Sequence, residues 1–291
     1  MIRSDPHEGR GPAGQLIGLV LTGSAADRVG VEPFMMELIA GMEEALAPRG
    51  ITVLVVVVPD LDAELATYRR WAGDRTVEAV VVVNVVHDDP RPGRLAGDGL
   101  PAVLAGRHSD GAFAKVLTDD AGAMTAAVDM LASLGHRSIG RVSGPADMVH
   151  TTERSEAMRS AGERLGIRVR IVEGDYSAED GVRGVRDLLA GERPPTAIVF
   201  DNDVMAVAAE HDLIRAGVPV PGRLSLLACD DSPLCELAVP PLSALSIDVH
   251  EHGLTLGRAV VATLGGEPPR DYAGPPIRIR GRESTGPAPA A

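Results

Sequence analysis

The residues of this chain best suited to binding a small molecule stand at the ends of two apolar runs. The run Ala197–Phe200 ends in Asp201-Asn202-Asp203, and the run Leu224–Cys229 ends in Asp230-Asp231. Carboxylates accept hydrogen bonds, and an amide both donates and accepts them. Ligands of open α/β sheets lie at the carboxyl ends of the strands, so this pattern predicts a site for a small polar ligand.

These side chains belong to a predicted strand–helix–strand unit, and the same alternation runs along the whole chain. A helical segment at about Val204–Ala216 joins the two apolar runs. Strands separated by helices of about 10–15 residues predict βαβ units with right-handed crossovers. The pattern starts again near Gly135-His136. We therefore expect an α/β protein of two similar lobes, and the cleft between two lobes is a common ligand site.

The composition predicts a core of aliphatic side chains. Hydrophobic residues make up 45% of the 291-residue chain but aromatic residues only 2%, so Val, Leu, Ile and Ala must fill the interior. Parallel sheets that are buried on both faces have strands of this kind. The runs Leu16–Leu21, Val53–Val58 and Ala79–Val83 fit that description.

Charge and cysteine usage argue against several classes of protein. The formal net charge is −13, from 28 basic and 41 acidic residues. Nucleic-acid binding requires a clustered basic surface, so we do not expect it of this polypeptide by itself. Cys229 and Cys235 are too few for a disulfide framework and favour a reducing compartment. No apolar run reaches the ~18 residues of a membrane span, and the amino terminus lacks a secretory-signal pattern.

Motifs for cofactors, metals and catalysis are absent or misplaced. Gly9-x-Gly11-x-x-Gly14 matches the dinucleotide fingerprint as a string, but it precedes the first predicted strand instead of following one. His250 and His252 are two residues apart on a predicted helix, so they point to different sides and do not predict a shared metal. We expect no cofactor, no metal and no enzymatic activity.

Several segments, taken together, match one family in order and spacing. They are LGHRSIGRVSGP (Leu134–Pro145), Arg154, EGDYSAEDG (Glu173–Gly181), PTAIVFDNDVMA (Pro195–Ala206), GVPVPGRLSLLACDD (Gly217–Asp231), PPLSALSID (Pro240–Asp248) and RIRGREST (Arg278–Thr285). From about residue 15 to 286 the chain resembles the effector-binding core of LacI/GalR-type bacterial transcriptional regulators.

The resemblance implies a periplasmic-binding-protein-like fold of type I, with two Rossmann-like subdomains of parallel sheets joined by three crossovers. It places residues 15–136 and 247–268 in the amino-terminal subdomain and residues 137–246 and 269–286 in the other. Residues 1–14 would be the disordered remnant of a connector, and residues 287–291 a tail. Family members carry a helix-turn-helix ahead of this core, and this sequence lacks it, as a trimmed or a natural form.

The resemblance also implies which residues bind the ligand. Arg154 matches a ligand-contacting arginine, although an exposed helix arginine is the alternative. Asp230 matches an acid that accepts hydrogen bonds from a ligand; capping the next segment is its alternative, with Asp231 as competitor. Asn202 matches an amide position, and the neighbouring Asp203 is expected to cap the helix.

Further candidates line the same predicted cleft. Tyr176 and Phe34 match aromatic positions that contact the ligand, although a half-buried loop tyrosine and a core phenylalanine are the alternatives. Weaker candidates are Asn84 at a strand end, Asp120 or its neighbour Asp119 before a helix, and His150. The family has a small hydroxyl residue near His150, so known family ligands do not transfer directly to this chain.

The implied protein is a cytoplasmic sensor of a small molecule and a homodimer. We expect a sugar or polyol effector, and a nucleobase stays open. Operator DNA would be bound only through the absent helix-turn-helix, and no membrane is involved. The alternative is the solute-binding receptor of a sugar transporter, which shares the fold but requires export.

Overall fold

The computed structural model describes residues 15–23, 33–109 and 111–290. The predicted connector, residues 1–14, lies outside this part of the chain, and so do residues 24–32 of the loop after the first strand. The strands are β1 (Gln15–Thr22), β2 (Ile51–Val58), β3 (Ala79–Val82), β4 (Ala102–Ala105), β5 (Ala114–Leu117), β6 (Ser138–Ser143), β7 (Arg168–Glu173), β8 (Ala197–Phe200), β9 (Ser225–Asp230), β10 (Ser243–Ser246), β11 (Asp271–Ala273) and β12 (Arg278–Arg280). The helices are α1 (Pro33–Leu46), α2 (Leu61–Asp74), α3 (Pro90–Asp98), α4 (Asp120–Ser133), α5 (Val149–Leu165), α6 (Ala178–Leu189), α7 (Asp203–Arg215), α8 (Pro233–Leu237) and α9 (Val249–Leu264).

The strands form two six-stranded sheets, each the centre of one lobe. Lobe 1 has the order β11-β5-β4-β3-β1-β2, and lobe 2 has the order β12-β10-β9-β8-β6-β7. All neighbouring pairs are parallel except β10 with β12. The prediction of two parallel α/β lobes is confirmed.

Aliphatic side chains fill both faces of each sheet, as the composition predicts. The four residues of β3 and the four residues of β8 are completely buried. Val81 packs in a cluster with α1 and α9, whereas Val80 packs in a second cluster with α2 and α3. Strands covered on both sides read as unbroken apolar runs, and for that reason the sequence locates them well.

The chain crosses between the lobes earlier than the predicted boundary at residue 136. Helix α4 packs with its Met124 and Leu131 in one cluster with Ile139 and Met158 of lobe 2. The first crossing therefore lies at Thr118-Asp119, where β5 gives way to α4. The restart of the pattern at Gly135 marks the next strand and not the change of lobe. The sequence pattern of a helix that begins a lobe is the same as that of a helix that ends the previous lobe, so the pattern does not show to which lobe α4 belongs.

The last crossing also differs from the prediction that residues 269–286 belong to the second lobe. Strand β11 pairs with β5 of lobe 1, and only β12 joins lobe 2. The third crossing is thus the segment 274–277, and the second lies at Ile247-Asp248 between β10 and α9. A three-residue exposed strand such as β11 has no apolar pattern to reveal it.

Candidate functional site

A cleft of about 160 Å³ lies between the lobes at the carboxyl ends of the strands. It is lined by all eight residues that the sequence predicts for ligand binding: Phe34, Asn84, Asp120, His150, Arg154, Tyr176, Asn202 and Asp230. The structure brings them together, whereas their role in binding an effector stays a prediction. Lobe 1 contributes Phe34 and Asn84, and lobe 2 contributes the other six.

Arg154 on α5 lies in the cleft and is paired with Asp120 at the start of α4. Its Nε and Nη2 atoms lie 2.7 and 2.6 Å from Asp120 Oδ1, and Nη1 donates to the Asp201 carbonyl at 3.4 Å. Only 15% of the arginine side chain is exposed. Burial lowers the pKa of Arg154, but Asp120 more than offsets this, so the guanidinium stays charged.

The structure separates the roles of the two aspartates before α4. Asp119 is the helix cap, because its side chain accepts a hydrogen bond from the Gly122 amide at 2.9 Å. Asp120 is buried and accepts a hydrogen bond from Thr118 Oγ1 at 2.5 Å. Burial raises its pKa, but Arg154 and Thr118 outweigh this, so the pKa lies below the usual value. Asp120 is therefore ionised at pH 7.

A second ion pair lies completely buried beneath the cleft, and sequence reasoning missed its role. Arg141 Nε and Nη2 donate to the two carboxylate oxygens of Asp201 at 2.7 and 2.6 Å, and Nη1 donates to Ser155 at 2.8 Å. The Asp201 carboxylate also accepts from the Gly144 amide at 2.9 Å. An arginine in the middle of a buried strand was the available signal, since a buried charge requires a partner.

Tyr176 and His150 form a hydrogen-bonded pair on the lobe 2 wall. His150 Nε2 lies 2.8 Å from the Tyr176 hydroxyl. Burial and the neighbouring Arg154 lower the pKa of His150 to about 4, so its ring is neutral at pH 7. The tyrosine ring packs over Gly144, where an added Cβ would lie 2.1 Å from Tyr176 Cζ. A glycine is therefore required for the ring to reach the cleft.

Asn202 replaces the predicted Asp203 as the cap of α7. The Asn202 Oδ1 atom accepts from the Met205 amide at 2.9 Å, and Nδ2 donates to the Tyr176 carbonyl at 3.0 Å. Asp203 instead accepts from the Ser232 amide at 2.8 Å. The prediction was wrong because Asn202, with extended backbone angles, occupies the cap position. Its amide now ties the loop of Tyr176 to α7.

The two acids after β9 also have separate roles. Asp230 lines the cleft and is half-buried, with a left-handed backbone (φ 85°). Asp231 turns away and pairs with Arg282 at 2.6 Å. Ser232 caps α8, accepting from the Leu234 amide. Neither acid is the cap, and Asp230 is the one directed to the cleft.

The wall that lobe 1 contributes is mostly apolar. Phe34 projects from α1, and Asn84 follows β3 with a left-handed backbone (φ 51°). The buried Arg91 donates to the Asn84 carbonyl at 2.8 Å and to Asp89 at 2.7 Å, which fixes this turn. The other apolar side chains of this wall are Met35, Leu38, Val83, Val85, Ala105 and Leu117.

The lobes touch along one side of the cleft. The Val149 amide donates to the Val85 carbonyl at 2.9 Å, and the His87 amide donates to the Asp147 carbonyl at 2.9 Å. Arg107 Nε donates to Glu153 at 2.8 Å across the same boundary. These contacts join the two lobes beside the cleft.

Comparison with known proteins places this architecture in one family. The profile of the periplasmic binding protein-like domain matches residues 128–285. The HTH-type transcriptional regulator MalR of Streptomyces coelicolor is 31% identical over 250 residues, which cover 81% of this chain and 72% of MalR. A LacI family transcriptional regulator from Bifidobacterium animalis has 33% identity and a TM-score of 0.85, covering 94% of this chain and 98% of that one. The chain belongs to the LacI family of transcriptional regulators.

Another LacI-family relative, CelR of Thermobifida fusca, is 28% identical over 242 residues, or 81% of this chain and 71% of CelR. A solved complex of the regulator CelR with cellobiose is 26% identical, with a TM-score of 0.85 over 93% of this chain and 84% of that one. These relatives are transcriptional regulators, not enzymes. Within the described residues, no helix is both long and apolar enough to span a membrane, and no three His, Cys, Asp or Glu side chains are grouped for a metal.

Proposed function

We propose that this chain is the effector-binding and dimerising part of a cytoplasmic LacI-family regulator, and that its effector is a neutral sugar or similar polyol bound in the cleft. The observation that carries the proposal is that Asp120, Arg154 and Asp230 of lobe 2 face the aromatic and aliphatic wall of lobe 1 across one cleft. Carboxylates and a guanidinium bind hydroxyls, while an apolar wall accepts the C–H face of a sugar.

The charge balance of the cleft supports an uncharged guest. The charge of Arg154 is compensated by Asp120, and that of Arg141 by Asp201. A carboxylate ligand would have to compete with Asp120 for the guanidinium, whereas a hydroxyl can bind without displacing it. The solved complex of the regulator CelR with cellobiose supports the same class of ligand.

The size of the cleft favours a small sugar in this arrangement of the lobes. A dry cavity of ~150 Å³ accommodates benzene, and a hexose has twice as many heavy atoms, so about 160 Å³ in a cleft that opens to solvent accommodates a monosaccharide at most. A disaccharide would require the lobes to open further, and the contacts of Val85 with Val149 and of Arg107 with Glu153 would then separate.

The effector would act by favouring one arrangement of the lobes. Three crossovers connect them, at Thr118-Asp119, Ile247-Asp248 and residues 274–277. A ligand that touches both lobes binds more tightly to one arrangement and shifts the population toward it. In a dimer, that change would alter the spacing of paired DNA-binding domains on a two-fold operator.

Exposed apolar side chains in both lobes support a homodimer. In lobe 1, Val55 and Val57 lie on the edge strand β2, and Met36 is 60% exposed. In lobe 2, Leu237 and Val239 are 77% and 76% exposed. A two-fold pair would cover these surfaces with one another.

Sedimentation velocity should show a dimer that Leu237→Asp weakens; a monomeric wild-type chain at 50 μM would contradict this.

A thermal-shift screen tests the sensing function directly. D-glucose, D-ribose, maltose, cellobiose and adenosine are added to the chain, and a ligand that binds only the folded state raises the unfolding midpoint. We expect at least one sugar to raise it. Adenosine alone doing so would favour the nucleobase alternative, and no response to any sugar would contradict the proposal.

Variants locate the response in the cleft. Arg154→Ala and Asp230→Ala should abolish the sugar-induced shift. The matched control is Arg164→Ala on the same helix, whose exposed side chain pairs with Asp129 outside the cleft. Unchanged sugar affinity in both cleft variants would show that the site lies elsewhere.

A further inference from the structure

His252 is a cleft residue that sequence reasoning considered only as a metal ligand. It lies in the first turn of α9 in lobe 1, it is 6% exposed, and it lines the cleft. Its ring lies against the third crossover, since an added Cβ on Gly274 would lie 3.2 Å from His252 Nδ1. The same Cβ would lie 3.3 Å from Thr118, in the first crossover. His252 thus stands where the cleft meets two of the three connections between the lobes.

The ring of His252 differs from other histidines of the chain in its hydrogen bonding. Its Nδ1 atom is buried and has no hydrogen-bond partner in the parts of the chain that the structure describes. By contrast, His136 forms hydrogen bonds with the Thr196 hydroxyl and the Gly286 carbonyl, and His150 forms one with the Tyr176 hydroxyl. Buried polar groups almost always have partners, so an imidazole without one at the edge of a cleft is available for hydrogen bonding to a ligand.

The ring offers chemistry that suits a hydroxyl group. Burial lowers the pKa of His252 to about 4, against the opposing effect of Asp120, so the imidazole is neutral at pH 7. A neutral imidazole has one donor and one acceptor nitrogen. A hydroxyl group also donates and accepts, so it can pair with either nitrogen. It cannot supply the positive charge that a carboxylate or phosphate would need.

The ring of His252 matters for ligand binding because the wall around it offers few other polar groups. Around it, lobe 1 presents the apolar side chains of Phe34, Leu38 and Leu117. A sugar hydroxyl turned toward lobe 1 has few polar partners there, chiefly Asn84, Thr118 and Arg107, which already donates to Glu153. A hydroxyl left unpaired on binding loses affinity, so one imidazole at this place discriminates between hydroxyl positions.

We propose that His252 is a specificity-determining contact, which hydrogen-bonds one hydroxyl of a neutral sugar from the lobe 1 side, beside the crossovers. This inference rests on the proposed sugar-sensing function. The bound hydroxyl contacts the ring from the cleft and so connects the ligand to the segments that join the lobes. Lobe 1 therefore takes part in reading the hydroxyl pattern, in addition to covering the apolar face.

The test compares His252→Leu and His252→Gln with the wild-type chain. Isothermal titration with D-glucose, D-ribose, maltose and cellobiose gives the affinity, and urea unfolding without sugar gives the stability. Leucine removes both nitrogens at similar volume, so we expect sugar binding at least about ten-fold weaker with an unfolding midpoint equal to or above that of the wild type. Glutamine, which keeps a donor and an acceptor, should recover part of the affinity. His211→Leu, at an exposed position on α7, is the control.

Three outcomes would overturn the inference. Wild-type affinity in His252→Leu would exclude the contact, while sensing itself would stand. A fall in unfolding midpoint that parallels the loss of affinity, without recovery by glutamine, would make His252 a structural residue. Absence of binding of any of the four sugars to the wild-type chain would refute the proposed function, and the inference with it. Monodeoxy analogues of a bound monosaccharide sharpen the test, since one of them should lose affinity for the wild-type chain but not for His252→Leu.

Discussion

The two lobes arrange their strands in the same order but line the cleft with different side chains. Strands β1 to β5 of lobe 1 correspond in sheet position to β6 to β10 of lobe 2. Lobe 2 presents Asp120, Arg154 and Asp230 together with the Tyr176–His150 pair, whereas lobe 1 presents mainly aliphatic side chains and Phe34. One architecture thus supplies a polar binding wall in lobe 2 and a mostly apolar closing wall in lobe 1, where His252 is the proposed polar contact. The difference predicts that contacts with lobe 2 provide most of the affinity for the ligand, and that lobe 1 closes over the ligand when it binds.

The buried arginine beneath each wall shows the same division. In lobe 1, Arg91 pairs with the buried carboxylates of Glu64 and Asp89 and also donates to the backbone carbonyls of Val83 and Asn84, and so fixes the shape of a turn. In lobe 2, Arg141 holds the Asp201 carboxylate, and the Asp201 carbonyl accepts from Arg154. Both arginines are held by buried carboxylates, but Arg91 also positions the backbone of a turn, whereas Arg141 supports the residue whose carbonyl accepts from Arg154.

Replacement of Arg141 by methionine should have the largest effect. It leaves the Asp201 carboxylate completely buried without its partner, and breaking a buried pair in this way costs about 3–5 kcal/mol. Urea unfolding measures the loss. The double variant Arg141→Met/Asp201→Leu removes both charges and should be more stable than Arg141→Met alone. A double variant less stable than the single one would show that the pair is not the source of the stability.

Acidification should destabilise the fold through the neutral histidines. The pKa of His150 is about 4 in the folded chain, because of burial and Arg154, against about 6.5 when unfolded. The unfolded chain therefore binds a proton as the pH falls below about 6.5 while the folded chain does not, and stability is lost progressively down to pH 4. The loss is at most about 3 kcal/mol for one such histidine.

The variant His150→Gln isolates this contribution in lobe 2. Its unfolding free energy, measured by urea titration from pH 7 to pH 4, should fall less steeply than that of the wild type. His211→Gln, which changes an exposed histidine of the same lobe, should keep the wild-type slope. Equal slopes for His150→Gln and the wild type would mean that His150 titrates normally in the folded chain.

Helix packing tests whether the lobes are alike away from the cleft. An added Cβ on Gly41 of α1 would lie 2.1 Å from the His250 carbonyl of α9, and one on Gly181 of α6 would lie 2.5 Å from the Met205 carbonyl of α7. Backbone cannot yield easily, so Gly41→Ala and Gly181→Ala should each cost about 1–3 kcal/mol by urea unfolding. Gly93→Ala, on an exposed turn of α3 with open space around it, should stabilise by up to about 1 kcal/mol. A loss of stability from only one of the two replacements would show that the helices of the two lobes do not pack alike.

The strands and the polar wall of the cleft were predicted better from the sequence than the lobe boundaries and the buried ion pair that supports the site. Buried parallel strands such as β3 are continuous aliphatic runs, and polar side chains at strand ends converge wherever such strands are neighbours, so Asp230 and Asn202 were found. The position of α4 could not be predicted, since its apolar face fits either lobe until packing decides. The support of Asp201 by Arg141 joins residues 60 positions apart, and no local pattern encodes that distance. His252 was overlooked because its missing hydrogen bond is visible only in the folded chain.

Phe34 tests the smaller contribution expected from lobe 1. Phe34→Leu keeps an apolar side chain on α1 but removes the flat ring, and an aromatic contact contributes about 0.5–1.5 kcal/mol beyond area burial. Titration calorimetry with a sugar that binds the wild type should therefore show binding about 2- to 13-fold weaker. Asp230→Ala, on the opposite wall, should cost more, because it removes hydrogen bonds to a charged group worth about 1.5–3 kcal/mol. If Phe34→Leu cost as much as Asp230→Ala, lobe 1 would be an equal partner in recognition, and the division between a binding wall and a closing wall would have to be given up.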